Sequence, residues 1–261
     1  MIQVRGLVKE YGAVRAVDDV SFDVAAGEIF AFLGPNGAGK TTTIQMLTTL
    51  LAPTNGSIAI DGLDPRKTPH EVRRRFGIVF QDPSVDGELT AFENMELHAV
   101  LYRVPRAVRA GRIEQLLSLF DLWDRRHSFV KTFSGGMKRR LEIARALLHT
   151  PKVLFLDEPT LGLDPQSRHQ LWTQVQHLNE SERVTVFLTT HYMDEAERVA
   201  HRIAIIDHGR LIAQGSAPEL KQQTGTDSLE HAFLALTGAT IRDDRADASD
   251  QMRQVARMWR R

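Results

Sequence analysis

The sequence predicts an α/β fold with a P-loop NTPase core, an antiparallel β part and an inserted helical subdomain, and three observations carry that prediction. Ile29-Phe30-Ala31-Phe32-Leu33 is an apolar run of strand type that leads into Gly34-Pro35-Asn36-Gly37-Ala38-Gly39-Lys40-Thr41, a match to G-x-x-x-x-G-K-[ST]. A second apolar run, Val153-Leu154-Phe155-Leu156, ends in the paired acids Asp157-Glu158. Between them, from about residue 82 to 149, the pattern turns helical, with Ile113, Leu116, Leu117 and Phe120 spaced i, i+3, i+4, i+7 on one face.

Taken in order, Ile2 to Val8 and Val14 to Val24 alternate apolar and polar side chains around Tyr11-Gly12, which predicts an antiparallel pair with Tyr11 at its turn. Tyr11 is either an adenine-stacking aromatic or a partly exposed turn residue. In the glycine-rich loop, Gly34, Gly37 and Gly39 allow tight turns that aim backbone N–H groups at phosphate oxygens. Lys40 then reaches the β- and γ-phosphates and the Thr41 hydroxyl ligates Mg²⁺, with a helix from Thr42 to Leu51 presenting its N-terminal dipole to the anion. Gly56 to Gly62 reads as a short strand. Phe76 to Phe80 reads as a buried strand ending at Gln81, a magnesium or water ligand if it faces the phosphates.

Ser134-Gly135-Gly136 opens a helix rich in Arg and Leu, and is a second anion site or a plain structural N-cap. At the end of the Val153 strand, Asp157 is placed to hold Mg²⁺ and Glu158 to act as general base on water attacking the γ-phosphate. Asp164, in the tight loop Leu161-Gly162-Leu163-Asp164-Pro165, is a helix cap or an interface contact. Val184 to Thr190 is a further buried strand expected beside that of Asp157, and it delivers His191 at its polar end.

The chain has 261 residues, 42% of them hydrophobic and 25% charged, which excludes a disordered or fibrous protein. Lys+Arg and Asp+Glu number 33 each, so no net basic field favours nucleic acid and none is expected as partner. There is no cysteine, which excludes a disulfide framework, a thiolate zinc site and a cysteine nucleophile. The N-terminus lacks the regions of a signal peptide and no apolar run approaches the ~20 residues of a spanning helix, so the chain is not expected to cross a membrane by itself.

These stretches, in this order from about Ile2 to Gly225, resemble the nucleotide-binding subunit of an ABC transporter. The resemblance assigns Tyr11 as the aromatic that stacks on adenine, Gly34 through Thr42 as the P-loop and Gln81 as the Q-loop. Phe133 through Met137 becomes the signature, Val153 through Glu158 Walker B, Leu161 through Asp164 the D-loop and His191 the switch histidine. It implies binding of ATP and Mg²⁺, with Asp164 of the D-loop among the nucleotide-site residues, and a head-to-tail dimer with a second copy of the chain, in which the signature, with Ser134, Gly135 and Gly136, completes the partner's site. A polytopic membrane permease, with the chain held peripherally on the cytoplasmic face of the membrane, follows from the same resemblance. Its signature reads Phe-Ser-Gly-Gly-Met, where Leu-Ser-Gly-Gly-Gln is commonest, and its D-loop has Leu161 where serine is frequent. Together with Lys138-Arg139-Arg140-Leu141 this looks like the ATPase of ABC-2-type exporters of the daunorubicin-resistance kind, with drugs, antibiotics, lipids or polysaccharides as expected cargo. A soluble ABC ATPase of translation, repair or cofactor assembly, or an importer ATPase, is the competing expectation.

The resulting division is residues 1–225 for the ATP-binding domain and 226–261 for a C-terminal extension. Asp227 and Glu230 suggest a capping box there, and Leu229, Ala232, Phe233 and Leu236 form a helical face before Gly238. Ala239 to Asp250 reads as a linker. Met252, Val255, Ala256 and Trp259 form a last amphipathic face among arginines, suited to lipid, permease or the chain's own surface.

Overall fold

A computed structural model describes residues 1–238; the linker and the amphipathic face predicted beyond Gly238 lie outside them. The chain opens with the predicted antiparallel pair, β1 (Ile2–Tyr11) and β2 (Val14–Val24), followed by β3 (Ile29–Leu33), α1 (Lys40–Leu47), β4 (Asn55–Ile60), α2 (Pro69–Arg75) and β5 (Phe76–Val79). Next come α3 (Ala91–Leu101), α4 (Arg106–Leu119) and α5 (Gly135–Ala146), with two short 3₁₀ turns before α5. The remainder is β6 (Val153–Asp157), α6 (Pro165–Glu182), β7 (Thr185–Thr190), α7 (Met193–Val199), the hairpin β8 (Arg202–Asp207) and β9 (Arg210–Gly215), α8 (Ala217–Thr224) and α9 (Leu229–Thr237).

The strands form two sheets, one three-stranded in the order β2-β1-β4 and one six-stranded in the order β5-β6-β7-β3-β8-β9. The first is antiparallel throughout. In the second, β5, β6, β7, β3 and β8 run parallel and β9 alone is antiparallel. Alternation along β3 explains how the layers stack: Phe30 and Phe32 point to one face, and Ile29, Ala31 and Leu33 to the other. On the phenylalanine face Phe22 of β2 packs 5.5 Å from the rings of both Phe30 and Phe32 and 5.9 Å from Phe187, joining the small sheet to the large one.

On the opposite face, Leu154, Leu156, Val186 and Leu188 meet Met95, Ile113, Leu117 and Phe120 of the α3–α4 block in one continuous core. The predicted face Ile113, Leu116, Leu117, Phe120 is fully buried there. The inserted helices therefore share their core with the main sheet and do not build a separate one.

Several element ends differ from the sequence reading. Helix α1 starts at Lys40, not Thr42, because the loop closes directly into it through Thr43 N–H donating to the Gly39 carbonyl at 2.9 Å. It stops at Leu47, where Thr48 Oγ1 bonds back to the Ile44 carbonyl and Thr49 turns left-handed at φ 66°. The first strand runs on to Tyr11, and α2 and α8 were not foreseen in a charge-rich context. The cap of α9 is Ser228, whose Oγ accepts from His231 N–H at 3.1 Å, so the Asp227–Glu230 capping box does not form; the Asp227 carboxylate instead meets His231 Nδ1.

Candidate nucleotide site

Parallel pairing sends the ends of β6, β7 and β3 to one edge, since Leu33 lies opposite Thr190 and Asp157 opposite Thr189. The residues following those ends, Gly34, Glu158 and His191, thereby share the crevice where open α/β sheets take ligands. The loop after β3 is braced from behind: Gly209 N–H, in the β8–β9 turn, donates to the Ala38 carbonyl at 3.0 Å, and Asp18 N–H donates to the Gly209 carbonyl at 2.8 Å. Two glycines are fixed by that bracing. A Cβ on Gly39, whose φ is 100°, would stand 2.5 Å from the Ala16 carbonyl oxygen, and one on Gly34 only 2.3 Å from that of Ile206.

Lys40 is buried, with its ammonium donating to the carbonyls of Gly34 at 2.8 Å and Pro35 at 3.0 Å. It lies 3.1 Å from Glu158 Oε1. On the other side of the same carboxylate, His191 Nδ1 is 3.2 Å from Oε2, off the line of a good hydrogen bond, and the imidazole packs 4.1 Å from the Tyr192 ring. Glu158 holds a left-handed backbone, φ 46°, that costs a side-chain-bearing residue about 1 kcal/mol or more. Two bonds from its N–H, to Thr189 O at 3.2 Å and Thr189 Oγ1 at 3.0 Å, secure it. Burial pushes the Glu158 carboxyl up, but His191 and Lys40 outweigh that and hold it below the ordinary glutamate value.

Asp157 is buried and accepts from Thr189 Oγ1 at 2.6 Å. Its carboxyl is raised by burial above all, with Glu158 adding to the rise and Thr189, Lys40 and the Thr41 hydroxyl pulling the other way. A hydroxyl and one carboxylate converging at the loop are a hard-oxygen set that suits Mg²⁺, which takes one or two protein ligands and draws the rest from phosphate and water. Among the described residues no group of three or more His, Cys, Asp or Glu is arranged to hold a metal ion.

The other predicted residues are spread around this centre. Gln81 is exposed after β5, and its carbonyl and that of Phe80 accept from the guanidinium of Arg139, which is buried and paired to Glu142 at 3.0 Å. Tyr11 is 45% exposed at the end of β1, opposite Val14 of β2, the neighbouring strand whose Ala16 carbonyl abuts Gly39. Ser134 caps α5 by accepting from Met137 N–H at 3.2 Å. Its neighbour Gly136 abuts α6, where a Cβ would come within 2.7 Å of Ser167 Oγ. Asp164 caps α6, accepting from Ser167 N–H at 2.9 Å. Ser134, Gly135 and Gly136 thus neighbour their own helix, Leu163 and Ser167 at the start of α6.

Sequence reasoning missed Thr189, which orients both acids, and Arg139, which holds the backbone at Gln81. Thr189 and Thr190 carried a faint signal as two hydroxyls closing an apolar strand beside His191. Arg139 carried none that separates it from the exposed basic residues around it.

A family model described as ABC transporter matches residues 17–161. The chain is 48% identical over 228 residues to a daunorubicin/doxorubicin resistance ATP-binding protein of Streptomyces peucetius, covering 87% of this chain and 69% of that one. It is 42% identical to a Nod factor export ATP-binding protein I of Ralstonia nicotianae, covering 88% and 72% of the two. Among solved structures, a dimeric ATP-binding cassette in a post-hydrolysis state bound to ADP and Pi superposes with a TM-score of 0.74 at 27% identity, covering 83% of this chain and 98% of that one.

Proposed function

The chain belongs to the ABC transporter family and is an ATPase, and from that premise we propose that it drives a separate membrane permease of the exporter type as one half of a head-to-tail dimer. The observation that carries the chemistry is Glu158, an acid held ionised between Lys40 and His191 at the edge of a braced P-loop. In this reading the loop from Gly34 to Thr42 holds the triphosphate by its backbone, Lys40 moves onto the β- and γ-phosphates, and Tyr11 covers the adenine. Mg²⁺ would be held by Thr41 and Asp157, with Gln81 completing the set, and would supply neutralisation of the negative charge of the phosphates. Glu158 takes the proton of the attacking water, while His191 and Gln81 orient the groups around the γ-phosphate.

Export is supported by the names of the relatives and by the signature Phe-Ser-Gly-Gly-Met. A dimer is supported by Ser134 and Gly135, which are exposed at the helix start of α5 beside the buried Gly136 and leave an anion-attracting helix end open to a second chain. No helix among the described residues is long and apolar enough to cross a membrane, which is in keeping with a transport path supplied by a separate subunit. Its docking place is proposed on α3, where Leu97, Val100 and Leu101 are exposed beside a groove of about 410 Å³ lined by His70, Arg73, Arg74, Leu101, Tyr102 and Arg103. Residues 1–225 are proposed as the ATP-binding domain, with the helices of 82–149 as its permease-facing part.

Affinity purification of the tagged chain from its native membrane is the test. Recovery of a polytopic membrane protein, with ATP hydrolysis by the complex, is the expected result. Recovery of ribosomes or DNA without a membrane subunit would replace transport by a soluble role.

A further inference from the structure

Glu195, in the first turn of α7, is wholly buried and belongs to none of the motifs assigned above. Its carboxylate gathers three segments. Thr160 Oγ1, two residues beyond Glu158, donates to both oxygens at 2.7 and 2.8 Å. Arg168, in the first turns of α6, brings Nε to 3.2 Å from Oε1, and Thr190, next to His191, donates from Oγ1 to Oε2 at 3.4 Å.

Those segments are the two ends of the loop Leu161–Asp164 and the start of the loop of His191. Thr160 precedes the first loop, and Arg168 follows it with its own N–H on the Asp164 carbonyl at 3.0 Å. The same Arg168 lays its guanidinium 4.5 Å from the Tyr192 ring centre, and that ring contacts the His191 imidazole. Thr190 Oγ1 in turn accepts from Tyr192 N–H at 3.0 Å. A displacement of the Leu161–Asp164 loop therefore pulls on the backbone of both Glu158 and His191.

We propose that Glu195 is a positioning residue for ATP hydrolysis, a buried carboxylate that locks Glu158, His191 and the Leu161–Asp164 loop into one body. Burial pushes its carboxyl above the usual range, with Thr160 and Arg168 pulling it back. Replacing a buried ion pair by apolar packing is often neutral or stabilising, so stability alone does not call for a carboxylate here. Geometry does, because only an acceptor with two oxygens serves a hydroxyl on each of two loops and a cation between them. The role rests on Glu158 being the general base.

The test compares Glu195→Gln, Thr160→Val, their double variant and Glu158→Gln in the full chain, reading kcat and, separately, ATP affinity by calorimetry. Glu195→Gln keeps the shape but loses the charge facing Arg168, so kcat should fall about 10- to 100-fold, the effect of misplacing a catalytic group by about 1 Å. ATP affinity should stay within about twofold, since no P-loop contact changes. The double variant should be no worse than the poorer single one, because both remove the same tie. Wild-type kcat in Glu195→Gln beside a slow Glu158→Gln sinks this inference alone. Affinity falling in step with kcat reduces Glu195 to scaffold and overturns it as well. Wild-type turnover in Glu158→Gln sinks the base assignment and this role with it. Should Glu195→Gln fail to fold, Thr160→Val decides: slow turnover with intact affinity supports the tie, and unchanged kcat refutes it.

Discussion

The Glu158 carboxylate stands between an ammonium and an imidazole, and those neighbours set its chemistry more than its own residue type does. Because they hold its carboxyl below the ordinary value, it stays a proton acceptor throughout the neutral range. Glu158→Gln should cut ATP hydrolysis by about 10²–10⁴-fold, the worth of a positioned general base. Lys40 is also Glu158's partner, so the charge that must reach phosphate is held by a competing anion. The Gln variant should accordingly bind Mg-ATP at least as tightly as the unaltered protein, and weaker binding by calorimetry would deny that competition. Lys40→Ala removes the ammonium that pairs with Glu158, and its ATP affinity should drop by at least about tenfold, the loss of a charge-assisted hydrogen bond. Unchanged affinity there would leave phosphate binding to the backbone alone.

Helix α5 spans two tasks. Its first residues present Ser134-Gly135-Gly136, and one to two turns on Arg139 holds the carbonyls of Phe80 and Gln81 while Glu142 receives Ser84. Three residues beyond its far end, His149 closes an aromatic stack in which Tyr102 lies 4.6 Å from His98 and 4.1 Å from His149. His98 is pushed from 6.5 down to about 3, chiefly by burial, with Arg145 and His149 adding to it. The unfolded chain protonates this group near 6.5 and the folded one only near 3, so its share of stability is complete above 6.5 and is lost as pH falls between the two values. His98→Phe keeps a ring on Tyr102 and cannot protonate. It should show a shallower fall in Tm than the unaltered protein between about pH 7 and about pH 5, and parallel curves would move that acid sensitivity to His149 or elsewhere.

For the whole molecule the proposed dimer makes a sharper demand than either half-site. If Ser134 serves the partner's P-loop, Lys40→Ala and Ser134→Arg each spoil both sites of their own homodimer. Mixed, they place both defects in one site and leave the other with wild-type residues. ATP hydrolysis should then reappear on mixing two inactive preparations. No recovery is expected if the signature acts on its own chain, and a disulfide formed with ATP between cysteines introduced at Ser134 and Gly37 gives the same answer without needing turnover.

Local sequence determined the parts that obey local rules. Alternation wrote β1 and β2, continuous apolar runs wrote β3, β6 and β7, and the glycine spacing wrote the loop, because a strand buried on both faces and a phosphate-sized turn each leave a mark within ten residues. The acids Asp157 and Glu158 and the histidine at 191 were legible for the same reason, as polar residues closing apolar strands. Tertiary structure decided what those residues touch. That Gly34 and Gly39 are required by the Ile206 and Ala16 carbonyls, that Thr189 orients both acids, and that Arg139 and Glu195 hold loops from other elements depends on contacts across 31 to 59 positions of chain for Thr189 with the two acids, Glu195 with Thr160 and Arg139 with Phe80. A side chain's partner at such separation is set by the register of the parallel sheet and by how the helices pack on it, neither of which any short stretch of residues encodes.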